Sequence, residues 1–78
     1  MKRPPPPLTH VRSFECAARH LSFTRAAQEL GFTQAAISTH VRALEHYLGR
    51  PLFTRNARSL TLTEAGEAFL PSLRQALT

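Results

Sequence analysis

The chain has 78 residues, room for one domain at most, and 42% of them are apolar, enough for a small core and too many for a disordered tail. Ten Lys and Arg stand against five Asp and Glu, a formal net charge of +5, which makes an acidic partner, nucleic acid first, the leading candidate. With a single cysteine, neither an intrachain disulfide nor a cysteine-based zinc site is expected to be possible. No apolar run reaches the ~18 residues of a membrane span, and the basic start lacks the apolar stretch of a signal peptide.

Residues 1–7 contain four consecutive prolines and predict a stiff polyproline arm packing loosely on the body. A first helix is expected over Thr9–His20, with Thr9 as N-cap and Val11, Phe14, Ala18 and Leu21 on one face. Cys16 falls inside it and reads as a small buried hydrophobe. Ser22 caps a second helix with the stripe Phe23, Ala27 and Leu30; Ala26 permits close approach of a neighbour, and Gly31 ends the helix. Thr33 caps a third helix, Gln34 to Leu48, closed by Gly49 and barred from continuing by Pro51. Two helices joined by a three-to-four-residue turn containing glycine form the helix-turn-helix pattern. A generic helical hairpin is the bland alternative.

After Pro51 the pattern shifts to period 2. Leu52-Phe53-Thr54-Arg55 and Leu60-Thr61-Leu62 flank the turn Asn56–Ser59, predicting a small hairpin or wing. Thr63 caps a last helix, Glu64 to about Leu77, in which Glu64 and Glu67 suit the first turns and Pro71 should introduce a kink. The expected fold is therefore mainly α: a three-helix core with a β-hairpin wing over residues 8–63, followed by a C-terminal helix over 64–78.

At about 100° per residue from Gln34, the residues Ile37, Val41, Leu44 and Leu48 fall between about 280° and 340°, a narrow core stripe. Gln34, Ala35, Ser38, Thr39 and Arg42 fall between about 0° and 140° with no acid among them; Glu45, near 20°, shares that arc but sits close to the C-terminal end. Gln pairs bidentately with an adenine edge, Ser and Thr hydroxyls reach phosphates or bases, and Ala35 admits the helix to a groove and touches a thymine methyl. Backbone N–H groups at the helix start, near Thr33 and Gln34, suit a phosphate. Glu45 is expected beyond the groove in a local salt bridge, and His40, near 240°, as a flanking packing residue. Between Thr33 and Thr63 lie Arg42, Arg50, Arg55 and Arg58 against Glu45 alone, a net +3. Arg55 and Arg58 flank the hairpin turn, where long cations reach phosphates or an adjacent minor groove; solvated surface charge is the alternative for each.

The stretch Phe14-Glu15-Cys16-Ala17-Ala18-Arg19-His20-Leu21-Ser22-Phe23-Thr24-Arg25-Ala26-Ala27 resembles the start of LysR-type transcriptional regulators. So do Thr33-Gln34-Ala35-Ala36-Ile37-Ser38, Arg42-Ala43-Leu44-Glu45, Leu48-Gly49, Leu52-Phe53-Thr54-Arg55 and Leu62-Thr63-Glu64-Ala65-Gly66, in order and without gaps across residues 8–78. The proline-rich start and the run around Arg19 look most like the subgroup of glycine-cleavage and β-lactamase-gene activators. The resemblance implies a winged helix-turn-helix that binds double-stranded DNA and puts Thr33, Gln34, Ala36, Ser38, Thr39, Arg42 and Arg55 at DNA-facing positions; Ser22, Arg25, Ala35 and Arg58 complete the expected DNA-binding set. Thr39 departs from the longer polar or basic residue often found there. It also implies a homodimer through the last helix, with Ala65, Ala68, Phe69, Leu73 and Leu77 as the seam. The family's larger effector-binding domain is absent from these residues, so a small-molecule effector would act only through that domain. No cofactor, metal or membrane partner is expected, and the compartment expected is the cytoplasm.

An enzyme is not expected. His10, His20, His40 and His46 are scattered, none with the i, i+4 spacing or nearby carboxylates of a metal or acid–base site, and Ser38 lacks a base. The competing class is a winged-helix protein-interaction module, whose groove arc would carry apolar anchors in place of Gln, Ser, Thr and Arg.

Overall fold

The computed structural model describes residues 4–77. Its elements run α1 (Leu8–His20), α2 (Phe23–Leu30), α3 (Gln34–Leu48), β1 (Phe53–Arg55), β2 (Leu60–Leu62) and α4 (Glu64–Leu77). Residues 1–3 of the predicted arm lie outside the described residues; Pro4–Pro7 are irregular, and Pro7 has the polyproline-like φ −57° and ψ 144°. Thr9 is not the N-cap of α1. The helix begins one residue earlier, with Pro7 at the cap position and no side-chain cap, and the Pro7 carbonyl accepts the N–H of His10 at 3.0 Å. Thr9 is inside the first turn because the proline's fixed φ already aims its carbonyl along the ladder.

Three helices end in the same way. The N–H groups of Leu21 and Ser22 turn back on the Ala17 carbonyl, those of Gly31 and Phe32 on Ala27, and those of Gly49 and Arg50 on Glu45. Gly31 and Gly49 take positive φ (74° and 73°), as glycine does at no steric cost. Leu21 does so at φ 49° with a side chain, and that turn lifts it off the core: it is 47% exposed, contrary to its expected place on the buried stripe. Val11, Phe14 and Ala18 keep theirs. The start signals of α2, α3 and α4 hold: Ser22, Thr33 and Thr63 accept the N–H of Arg25, Ala36 and Gly66 through their hydroxyls at 3.0–3.1 Å.

The core forms where α1 crosses α3 and α2. Ala17, Ala18, Ala26 and Ala27 are buried and small, which lets the helix backbones approach closely; Phe14, Ile37, Val41 and Leu44 fill the space between. Leu48, the last member of the α3 stripe, lies at the rim and is 36% exposed. Phe14 meets Phe53 edge-on at 5.5 Å and Phe69 at 5.9 Å, so one ring couples α1 to both the wing and α4. His40 is the expected packing residue: it stacks on His10 (4.8 Å), meets Phe32 edge-on (5.2 Å), and its Nδ1 shares a 2.8 Å hydrogen bond with the buried Ser13 hydroxyl.

The two strands pair antiparallel, Phe53 with Leu62, Thr54 with Thr61 and Arg55 with Leu60. The Asn56 N–H donates to the Ser59 carbonyl at 2.9 Å and closes the turn. At the wing's base the expected salt bridge of Glu45 is replaced by a different arrangement. Its carboxylate oxygen Oε2 accepts the N–H groups of Leu52 (2.7 Å) and Phe53 (3.4 Å), backbone donors that would otherwise be left without a partner as β1 begins. Gly66 sits against this joint; a Cβ there would run into the Leu52 carbonyl oxygen and the Leu62 side chain. Helix α4 continues through Pro71, and Leu70 and Leu73 anchor it to the core.

Candidate nucleic-acid interface

One groove of about 800 Å³ lies between the start of α2, the start of α3 and the wing. Ser22, Gln34, Ala35, Ser38, Arg55 and Arg58 all line it, and none of its lining residues is acidic. The geometry follows from the turns. Gly31-Phe32-Thr33 brings the N-terminus of α3 beside that of α2, and the short hairpin folds its arginines back across the opening.

Of the remaining expected residues, Arg25, Thr33, Thr39 and Arg42 are exposed but lie outside the groove wall, and Ala36 is half-buried with its N–H committed to the Thr33 hydroxyl. Arg42 instead borders a second shallow cleft with Glu45, His46 and Arg50 at the far end of α3. That is two turns from Gln34, a spacing that suits a flanking contact.

The structure adds positioning that sequence alone did not reveal. The Thr24 hydroxyl donates to Gln34 Oε1 at 3.3 Å, holding the amide so that its NH₂ is the end left to donate. The Arg55 guanidinium lies over the Phe23 ring, 4.9 Å from its centroid. Its direction is therefore set by α2, and it stays at the groove instead of sweeping freely from the wing tip. Asn56 and Ser59 also line the groove through the hairpin turn. Thr24 carried a weak signal, as a polar residue in the first turn of α2. The Phe23–Arg55 pair, 32 positions apart in sequence, carried none.

The electrostatics favour an anion. The Thr33 hydroxyl takes the N–H of Ala36 and its carbonyl that of Ile37 (3.1 Å), which leaves the N–H groups of Gln34 and Ala35 uncommitted at the positive end of the helix dipole. Ser22 and Thr33 accept as caps, so each hydroxyl keeps its own proton for donation.

Of the seam residues expected on α4, Ala68 is exposed and Ala65, Phe69 and Leu77 are half-buried. Leu73 is 7% exposed and belongs to the chain's own core. An apolar groove of about 340 Å³ runs along this helix, with Leu48, Leu52, Ala65, Ala68 and Phe69 in its walls.

The histidines are less scattered in space than in sequence. His20 Nε2 lies 2.8 Å from Glu29 Oε1, so the expectation that no histidine has a carboxylate neighbour fails: the α1–α2 corner brings together residues nine apart. Arg19 donates to both Glu29 oxygens (3.0 and 2.6 Å). Together the Arg19 and His20 hydrogen bonds hold the Glu29 carboxyl down to about 2. Cys16 is buried as expected, and burial, with Glu29 beside it, pushes its thiol up to about 11.

No helix among the described residues is long and apolar enough to cross a membrane. Comparison with known proteins agrees with the geometry. The chain is 53% identical over 70 residues to the glycine cleavage system transcriptional activator of Escherichia coli K12, covering 90% of this chain and 23% of that protein. It is 58% identical over 73 residues to the HTH-type transcriptional activator AmpR of Pseudomonas aeruginosa, covering 94% and 25%. The chain thus spans about a quarter of the length of the curated relatives it matches. Among solved structures, a CbnR DBD–DNA complex superposes with a TM-score of 0.86 at 34% identity, over 91% of this chain and 82% of that one. The family model described as "Bacterial regulatory helix-turn-helix protein, lysR family" matches residues 8–67, and the chain belongs to that family.

Proposed function

We propose that this chain binds double-stranded DNA sequence-specifically as the reading head of a transcriptional regulator. The observation that carries the reading is the acid-free groove that joins Gln34, Ala35 and Ser38 of α3 to Arg55 and Arg58 of the wing. Helix α3 enters the major groove by its N-terminal half. Gln34, oriented by Thr24, and Ser38 read base edges; Ala35 permits close approach. The Ser22 and Thr33 hydroxyls, Arg25 and Arg42 hold phosphates, and Arg55 and Arg58 reach the backbone or the neighbouring minor groove. Half-buried Ala36 supports the helix start, and exposed Thr39 lies at the margin of the readout. The relatives' printed names and the DNA-bound structural neighbour support the same reading.

Two copies pair through α4 along Ala65, Ala68, Phe69 and Leu77, with Leu73 kept for the internal core, so that two heads read two half-sites. In a protein of the relatives' length, effector sensing belongs to residues beyond this head.

The test is a salt titration. Log affinity for a cognate duplex falls linearly with log salt. Gln34→Ala costs about 1–3 kcal/mol on the cognate site and less on random DNA, whereas Arg42→Ala weakens both alike and flattens the slope. A folded chain with no duplex binding at ~50 mM salt would sink the reading.

A further inference from the structure

Away from the groove, the corner between α1 and α2 gathers three metal-ligating atoms. Cys16 and His20 are four residues apart on α1 and so share one face, one turn apart. Glu29, near the end of α2, lies across from them because Leu21 and Ser22 reverse the chain and Ala26 and Ala27 let α2 pack close. The Cys16 sulfur, a His20 ring nitrogen and a Glu29 carboxylate oxygen all lie within 4.8 Å of one another. We propose that Cys16, His20 and Glu29 form a binding site for a borderline-soft divalent cation of the zinc class, which ties α1 to α2.

The donor set is the first argument. Thiolate, imidazole and carboxylate are the ligands zinc takes, at about 2.3, 2.0 and 2.0–2.2 Å. Around a tetrahedral ion those bond lengths put ligand atoms roughly 3.3–3.8 Å apart. The 2.8 Å His20–Glu29 pair must open slightly, and the widest pair must close by about 1 Å, a side-chain adjustment. Three protein ligands leave the fourth position to water.

Charge is the second argument. The cation takes the place of the proton between His20 Nε2 and Glu29 Oε1. That proton passes to Nδ1 of a neutral ring, or to solvent from a protonated one, so that His20 ligates as neutral imidazole. The Cys16 thiol releases its proton to solvent as the sulfur ligates. Thiolate and carboxylate then neutralise the ion's two charges. Arg19 is the opposing cation nearby, donating to Glu29 and, at 3.6 Å, to the Cys16 sulfur. It also lies 3.3 Å from Glu15, which Arg74 approaches at 3.5 Å. With the ion on Glu29 Oε1, Arg19 keeps Oε2 and Glu15 and orients the carboxylate, as outer partners of metal ligands do. Burial of the sulfur, with His20 and Glu29 at the more open side, gives the ion one dry wall and one entry path.

Cobalt(II) and zinc(II) salts are the probes, with the chain kept reduced by a non-thiol reductant. Cobalt is expected to bind one to one, with near-ultraviolet thiolate-to-cobalt charge-transfer absorption, and zinc to displace it and raise the melting temperature. Cys16→Ala removes the absorption. Because that change is in the core, His20→Gln and Glu29→Gln, nearer the surface, give the second reading: each weakens cobalt binding by about tenfold or more while the helical circular dichroism stays unchanged. Absence of the thiolate band, or a band of unchanged affinity in both His20→Gln and Glu29→Gln, overturns the site.

Discussion

At the scale of single residues, Glu45 shows how a charge can serve the backbone. Its position on the α3 wheel pointed to a surface ion pair, but it reaches the start of β1 and accepts two N–H groups there. No local pattern announces this, because the acceptor and its donors are joined only when the chain reverses at Gly49 and Pro51. Hydrogen bonds to an ionised group contribute about 1.5–3 kcal/mol, so Glu45→Ala should destabilise the fold by about that much, read as a lower denaturation midpoint at unchanged slope. Glu45→Gln, which keeps an acceptor, should recover part of the loss. Glu29 makes a pH prediction. Its carboxyl is held from the ordinary 4.5 down to about 2, first by the Arg19 hydrogen bonds and then by His20. A depressed carboxylate contributes stability that is complete above about 4.5 and lost as pH falls towards about 2, because the unfolded chain takes up the proton first. Burial and the nearby His10 hold His40 below its usual 6.5, so it too favours the fold at higher pH. Melting temperature measured across acid pH should fall through the lower window, and Glu29→Gln should flatten that fall.

At the scale of elements, the boundaries that rest on local chemistry were legible. Ser22, Thr33 and Thr63 cap as expected, and Gly31 and Gly49 terminate helices because only the left-handed region lets two N–H groups return to one carbonyl. Where a non-local partner decides, the pattern misled. Leu21 continues the α1 stripe in sequence, yet it is the residue spent on the left-handed turn into α2. Leu73 continues an exposed-looking seam, yet it turns inward as α4 packs against the core. Gly66 is the clearest joint between elements. Its missing Cβ lets α4 lie on the Leu52 carbonyl and the wing. Gly66→Ala gains helix propensity of about 1 kcal/mol but must push backbone aside, and overpacking of that kind costs about 1–3 kcal/mol. The expected outcome is a net loss in melting temperature, with the shifted wing weakening duplex binding; a more stable variant would show that the joint yields.

At the scale of the whole molecule, the +5 charge has a direction. The acid-free groove lies on one side, while Glu15, Glu29 and Arg19 pair with each other at the α1–α2 corner. The arc proposed to face DNA was read from residue types on one helix. The fixing of Arg55 by Phe23 and of Gln34 by Thr24 was not, since each joins separate elements. The α4 face presents the last question of assembly. A chain this short buries a limited share of its surface, and the apolar strip of Leu48, Ala65, Ala68 and Phe69 offers a second copy further burial. Ala68 is the exposed small residue on that strip, where a charge would be trapped between helices without disturbing the core. Ala68→Glu should therefore convert a dimer to a monomer in sedimentation at unchanged helical content. In the proposed pair the two heads would be linked binders on DNA, so the variant should lose affinity for a duplex with two half-sites while a single half-site is bound as before. Equal losses on both duplexes would place Ala68 in the reading head's own stability, and no change in sedimentation would remove this face from the pairing.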